Sequence, residues 1–138
     1  MTLPEAISAV DAIAPALEII DSRYTDFKFS LPDVVADNAS SSGYVIGQYQ
    51  PASTSIDNLG IVMSINDQPC QIGSTAAILG HPLRSLVHAA RLAEIAGQAL
   101  LPGWIILAGA ASAAVAISAG DYVKSEFQNL GRVEFQLY

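Results

Sequence analysis

The spacing of hydrophobic and polar positions changes several times along the chain, and each change marks an element. Ala6, Ile7, Val10 and Ala14 recur at helical intervals behind Pro4, which predicts a short amphipathic helix over residues 4–13 that Pro15 stops. Residues 16–21 read as a mostly buried strand with a carboxylate, Glu18, at its centre. Ser30-Leu31-Pro32-Asp33 is a helix start signal, with Ser30 as cap and Asp33 in the first turn of a helix over 31–39. The segment 37–43 is polar and turn-rich. Aromatic and β-branched content predicts strands at 44–49 and 59–65, with Asn66-Asp67 turning into a hairpin partner at 68–72. Gly80-His81-Pro82 forms a loop before a helix whose apolar face is Leu83, Leu86, Val87, Ala90, Leu92, Ala93 and Ala96 and which ends at Gly97. Between Glu94 and Asp121 no charge appears, and this run reads as two buried strands joined by small residues, the first at 104–108. Two further strands follow at 122–127 and 132–138, separated by Asn129-Leu130-Gly131. Strands outnumber helices and do not alternate regularly with them, which points to a β-rich α+β fold.

Composition narrows the possible functions. A chain of 138 residues suits one domain, and one spanning residues 1–138 is expected. With 51% hydrophobic and 14% charged residues it is too apolar to be disordered. Thirteen acids against six bases give a net charge of −7, and the bases are scattered from Arg23 to Arg132, so a nucleic-acid partner is not expected. Cys70 stands alone and can form no disulfide within the chain. The opening residues lack the basic start and apolar run of a secretory signal, so the expected location is cytoplasmic. The uncharged run is long enough to span a bilayer. Pro102-Gly103 and Gly109 interrupt it, however, and its abundant Ala and Ser drive insertion poorly, so no membrane partner is expected.

Few residues suggest chemistry. A carboxylate among Leu17, Ile19 and Ile20 faces a cleft or the interior, and burial there requires an Arg partner, a raised pKa or a metal ion. The ordinary alternative is that Glu18 pairs with Arg23 or points to solvent. Asp21, three residues on, falls on the other strand face, so it supplies no second carboxylate beside Glu18 for a hard cation. Ser40 lies in the Asp37-Asn38-Ala39-Ser40 turn, where capping is the usual task of such residues and binding of a carboxylate or carbonyl is the functional one. Two histidines and one cysteine define no nucleophilic arrangement, and no glycine-rich phosphate loop is present.

Four phrases nevertheless occur together: residues 15–23 (PALEIIDSR), 35–41 (VADNASS), 79–82 (LGHP) and 108–110 (AGA). In their order and spacing they resemble the 2-oxo-3-hexenedioate (4-oxalocrotonate) decarboxylases and 2-keto-4-pentenoate hydratases of the fumarylacetoacetate hydrolase superfamily. Residues 24–29 (YTDFKF) look more like the decarboxylase version, because hydratases usually carry Trp where Phe27 stands. The resemblance implies a β-rich mixed-sheet roll of the fumarylacetoacetate hydrolase C-terminal type with a few flanking helices. It implies a Mg2+ or Mn2+ ion held by three carboxylates, Glu18 among them, that polarises the keto group of a small 2-oxo acid. Ser40, Gly80, His81 and Gly109 match positions at the substrate. A homo-oligomer, and a complex with a partner hydratase or decarboxylase, are implied as well.

Departures from the family pattern bear on activity. Relatives are about twice as long, and their E-x-E metal pair, catalytic Lys and Asp lie upstream of the block that begins here at Pro15. The chain is thus expected to correspond to the C-terminal half of the family's catalytic domain and to be incomplete for catalysis by itself. Ala108 stands where Thr or Ser is usual, which removes a polar contact. Three readings follow: a metal-dependent decarboxylase in meta-cleavage breakdown of aromatic compounds, a hydratase acting on 2-hydroxypentadienoate, and a non-catalytic fragment or truncated paralogue.

Overall fold

A computed structural model describes residues 1–138. In chain order its elements are α1 (Leu3–Ala9), β1 (Ala12–Ile13), β2 (Ala16–Ile20), α2 (Leu31–Ala36), β3 (Ser41–Ile46), β4 (Gln50–Pro51), β5 (Gly60–Ile65), β6 (Gln68–Ser74), α3 (Leu83–Ile95), β7 (Tyr122–Phe127) and β8 (Gly131–Gln136), with short 3-10 turns at Thr25–Phe27, Asn38–Ser40 and Thr75–Ala77. The α+β expectation holds. Every ladder is antiparallel, and the strands form one four-stranded sheet, β6-β5-β7-β8, and two two-stranded ones, β1-β4 and β2-β3, none of them closed.

Local signals account for most element ends. In α1 the Thr2 hydroxyl accepts from the Glu5 N–H at 3.4 Å while the Glu5 carboxylate accepts from the Thr2 N–H at 2.6 Å, a reciprocal cap. The helix stops at Ala9 rather than at 13, because Pro15 disfavours helical backbone before it and Ala12–Ile13 pairs with Gln50–Pro51 instead. At its other end α3 closes with Gln98 N–H on Ala93 C=O and Gly97 N–H on Glu94 C=O, with Gly97 left-handed at φ +70°. Leu92, expected on the buried face of α3, points outward. Asn66 and Asp67 take φ +51° and +62°, the paired left-handed geometry that suits a two-residue hairpin, so the predicted β5–β6 turn is present.

One face of the four-stranded sheet buries Ile61, Val123, Ser125 and Val133, and at its end Ile56, Leu59 and Leu130 form a small core with Ile13, Leu83 and Phe127 against it. Where β3 runs out, the Gly47 N–H donates to the Pro15 carbonyl at 2.9 Å. A Cβ on Gly47 would stand 2.5 Å from the Arg132 carbonyl oxygen and 2.8 Å from Pro15 Cγ. Only a hydrogen in place of a side chain lets β3 lie this close to β8, and this contact fixes the β2–β3 pair against the larger sheet.

The uncharged run departs from its sequence reading. Residues 98–121 contain no strand, and Leu101, Trp104 and Ile105 are about half exposed. The strands expected at 104–108 and beyond do not form because a strand exists only by pairing, and no backbone group from 105 to 117 bonds to another backbone group. No helix is long and apolar enough to cross a membrane.

Two measurements follow. Gly47→Ala is expected to cost about 1–3 kcal/mol through overpacking at the joint, read as a lower denaturant midpoint; an unchanged midpoint would show that β3 and β8 separate freely. Asp121 accepts from the Ser118 N–H and the Asn66 amide, which hold its carboxyl below the usual range. Its folded pKa is therefore below its unfolded one, so its stabilisation is complete above about pH 4 and is lost as the pH falls through the folded value. Asp121→Asn should flatten the acid limb of the stability curve.

Candidate functional site

The five residues singled out by sequence fall into two groups. Glu18 and Ser40 belong to the β2–β3 pair. Glu18 lies opposite Tyr44, and a register shift between Ile19 and Ile20 brings Ile20 opposite Ser41. Neither the cleft nor the interior holds Glu18: it is exposed. Arg23 is not its partner either, since the guanidinium turns to Asp37, 3.3 Å from its carboxylate, and also donates to the Asp37 and Ser41 carbonyls.

Ser40 sits at the centre of this second network. It is 2% exposed, and its hydroxyl donates to Asp37 Oδ2 at 3.0 Å while the Arg23 N–H donates to the same oxygen at 3.3 Å. Its carbonyl accepts from the Asp21 N–H at 2.8 Å. Asn38, Ala39 and Ser40 have φ of +51°, +55° and +58° in succession, a left-handed run that Ala and Ser rarely adopt. This run cuts α2 short at Ala36, against the expected 39. Such strain persists only where surrounding contacts over-determine it, and the Asp37 carboxylate with its bonds to Arg23 and Ser40 supplies them. The Ser40 hydroxyl is thus buried with its proton committed to Asp37 in this structure. Nearby, burial first, then the charges of Asp33 and Asp37, hold the Tyr24 phenol above its ordinary pKa.

Gly80, His81 and Gly109 form the other group. Leu79 and Gly80 are left-handed at φ +53° and +78°, and Gly109 is at +102°. A Cβ on Gly109 would lie 3.9 Å from Ile78 Cγ2, and the Ser85 hydroxyl bonds to the Ala108 carbonyl, so the 108–109 backbone rests beside the 78–81 loop. The Leu83 N–H donates to His81 Nδ1 at 3.1 Å, which leaves the ring proton on Nε2 in the neutral form. Arg84 bonds to the Leu79 carbonyl at 3.0 Å and places its charge against Gly80. His81 also lies close enough to Asp57 to help lower its pKa, although the Ser55 hydroxyl contributes most.

The chain's own residues do not make a metal centre. No group of three or more His, Cys, Asp or Glu side chains is placed to hold an ion, and a hard cation finds in Glu18 a single exposed carboxylate. A shallow cavity of about 360 Å³ between β3 and β8 is lined by Val45, Gly47, Arg132 and Glu134 and includes none of the five residues. The Arg23–Asp37 pair was missed in the sequence, where Asp37 was read only as part of a turn. An Asp three residues before a Ser in a turn, with a lone Arg upstream, was the available signal.

Residues 2–138 match the fumarylacetoacetate (FAA) hydrolase C-terminal family. The chain belongs to that family. It is 60% identical over 131 residues to a 4-oxalocrotonate decarboxylase of a Pseudomonas species, covering 95% of this chain and 51% of the relative. A 2-keto-4-pentenoate hydratase of Paraburkholderia xenovorans (strain LB400) is 38% identical over 139 residues, covering 98% of this chain and 52% of the relative. Among solved structures, the 4-oxalocrotonate decarboxylase from Pseudomonas putida G7, complexed with magnesium and adipate, superposes with a TM-score of 0.94 at 38% identity, covering 99% of this chain and 52% of that one. The chain thus spans about half the length of the curated relatives it matches.

Replacing Asp37 by Ala tests the network. It leaves the buried Ser40 hydroxyl and the Arg23 N–H without their acceptor and should cost about 1–3 kcal/mol, with the Asn38, Ala39 and Ser40 amide resonances moving out of their left-handed positions. A loss of stability with those resonances unmoved would show that the turn holds itself.

Proposed function

We propose that this chain is the C-terminal half of a metal-dependent decarboxylase that converts 2-oxo-3-hexenedioate to 2-hydroxypentadienoate in meta-cleavage degradation of aromatic compounds. The observation that carries the reading is the 60% identity to a 4-oxalocrotonate decarboxylase, against 38% for the hydratase, across nearly all of the chain. Phe27, where hydratases usually carry Trp, favours the same choice. The magnesium in the Pseudomonas putida G7 decarboxylase supports Mg2+ or Mn2+ as the cofactor, with Glu18 as one ligand and the others outside this chain. The working protein is a cytoplasmic homo-oligomer, in complex with a partner hydratase.

The residues present define what this half contributes. The substrate carries two carboxylates and the chain a net charge of −7, so binding requires local positive charge. Arg84 and His81 place cationic or donor groups at the Gly80 loop, and the bare backbone at Gly80 and Gly109 allows a ligand to approach closely. Asp37 and Arg23 hold the Ser40 turn in place.

Hydratase activity is the second reading, supported by the 38% identity over 98% of the chain. Mixing this chain with a polypeptide containing the uncovered half of the Pseudomonas putida G7 decarboxylase and assaying both substrates with Mg2+ separates the two. Release of CO2 from 4-oxalocrotonate is the expected result, and turnover of 2-hydroxypentadienoate alone would replace it with the hydratase. In the same mixture Glu18→Ala should weaken Mg2+ binding by calorimetry at least about 100-fold. Because Glu18 is exposed, stability should stay within about 0.5 kcal/mol. Unchanged affinity removes Glu18 from the ligand set, and tight stoichiometric Mg2+ binding by the chain alone would sink the idea that the ion needs a second half.

A further inference from the structure

The run from Leu92 to Ile117 combines three properties that rarely coexist in an isolated domain. Its side chains are apolar and outward: Leu92, Ile95, Leu101 and Trp104 are all more than half exposed. Its sequence at 104–107, Trp-Ile-Ile-Leu, has the aromatic and β-branched content of a buried strand. From 105 to 117 its backbone is unpaired, since no N–H or C=O there bonds to another backbone group, and only the Ala108 carbonyl receives a side-chain bond, from Ser85.

The path of this run is nonetheless fixed at two points. Ser85 holds Ala108, and the Ala111 carbonyl oxygen lies where a Cβ on Gly73 would come within 2.5 Å, so the run is pressed against the edge strand β6. The same path over 99% of this chain recurs, with a TM-score of 0.94, in a decarboxylase of which this chain covers only 52%. A segment with no backbone–backbone hydrogen bonds from 105 to 117 thus lies within a chain that superposes closely on a protein holding about as much chain again.

The surface area agrees in scale. The chain exposes 8833 Å², against about 6,800 Å² for a compact monomer of 14.4 kDa. The excess of about 2,000 Å² is well above the roughly 800 Å² per partner of an ordinary interface and belongs with obligate ones.

We propose that residues 104–107 are a strand without its neighbour, and that the neighbour is an extended segment of the polypeptide that completes the family's chain, which also covers Leu92, Ile95 and Leu101. The occupant's chemistry is an apolar β-strand that adds to this backbone by main-chain hydrogen bonds. This inference rests on the reading of the chain as one half of a decarboxylase-type protein, and its test is separate from turnover.

Trp104 is the only tryptophan, so its fluorescence reports on this surface directly. The chain is mixed with the separately produced uncovered half of the Pseudomonas putida G7 decarboxylase, and Trp104 emission and hydrogen exchange at 104–107 are followed. The expected result is a blue shift together with at least about tenfold slower amide exchange on formation of a one-to-one complex. A complex that leaves these amides as fast as in the chain alone overturns the proposal, and so does the absence of any complex. Protection that rises with the concentration of this chain alone also overturns it and assigns the surface to a second copy. Protected amides without release of CO2 from 4-oxalocrotonate would uphold the strand pairing and sink the decarboxylase reading. Ile105→Pro and Ile106→Pro distinguish pairing from apolar contact. Alternate N–H groups point to opposite sides of a strand, so one of the two should lose at least about tenfold in affinity and the other much less. Both should keep the far-ultraviolet spectrum of the parent, because neither N–H is bonded to backbone in this chain. Equal retention of affinity by both overturns main-chain pairing.

Discussion

Backbone hydrogen bonding is the constraint on which this structure turns. A strand adopts its form only against a neighbour, because unpaired N–H and C=O groups shielded from water are costly. Residues 60–74 and 122–136 find neighbours within the chain and build the four-stranded sheet. Residues 104–107 have comparable strand-forming side chains but no hydrogen-bonded strand alongside, and they remain irregular with Trp104 and Ile105 about half exposed. Only fourteen residues are buried, a small core for a chain of this length, and the same cause explains it.

Within that open framework two places are held tightly, and both concern backbone in left-handed conformations. At 38–40 the cost of three successive positive φ angles is offset by the Asp37 carboxylate, which joins the Ser40 hydroxyl, the Arg23 N–H and the Arg23 guanidinium. At 79–80 and 109 two glycines reduce that cost directly, and the Ser85 bond to Ala108 brings the two turns side by side. Gly47, with the Arg132 backbone where its side chain would be, sets the first of these places relative to the main sheet.

The sequence was most informative where a signal was local. The hairpin turn at Asn66-Asp67, the strand at 122–127, the Gly97 helix end and the start of α2, where the Asp33 carboxylate accepts from the Ser30 N–H, can all be read from a few adjacent residues, since the physics that fixes them acts over a few residues. The four phrases that carry the family resemblance were legible for a different reason, as a pattern spread over most of the chain. Helix α1 was read too long, because periodicity at Ala6, Ile7 and Val10 competes with the pairing of Ala12–Ile13 with Gln50–Pro51, and that pairing is invisible at short range. Of the two readings of Glu18, enclosed or facing solvent, the enclosed one fails for a similar reason. Apolar neighbours in a strand announce burial on both faces, yet burial depends on what covers the strand, and here one face is bare.

The exposed glutamate and the unpaired strand are therefore two aspects of one deficit. A hard cation needs several carboxylates converging on one point, and a strand needs a second backbone alongside it; each is a requirement for groups remote in sequence. This chain satisfies its short-range requirements almost completely, with caps, turns and no buried side-chain polar atom lacking a partner. What it leaves unsatisfied is all of longer range: one exposed carboxylate without companions and a backbone without a hydrogen-bonded neighbour. A partner that supplied only carboxylates would leave the strand exposed, and one that supplied only a strand would leave Glu18 alone. On the proposed reading of Glu18 as a metal ligand, the two requirements together describe a polypeptide that carries both an apolar extended segment and further carboxylates, held by the first so that the second meet Glu18.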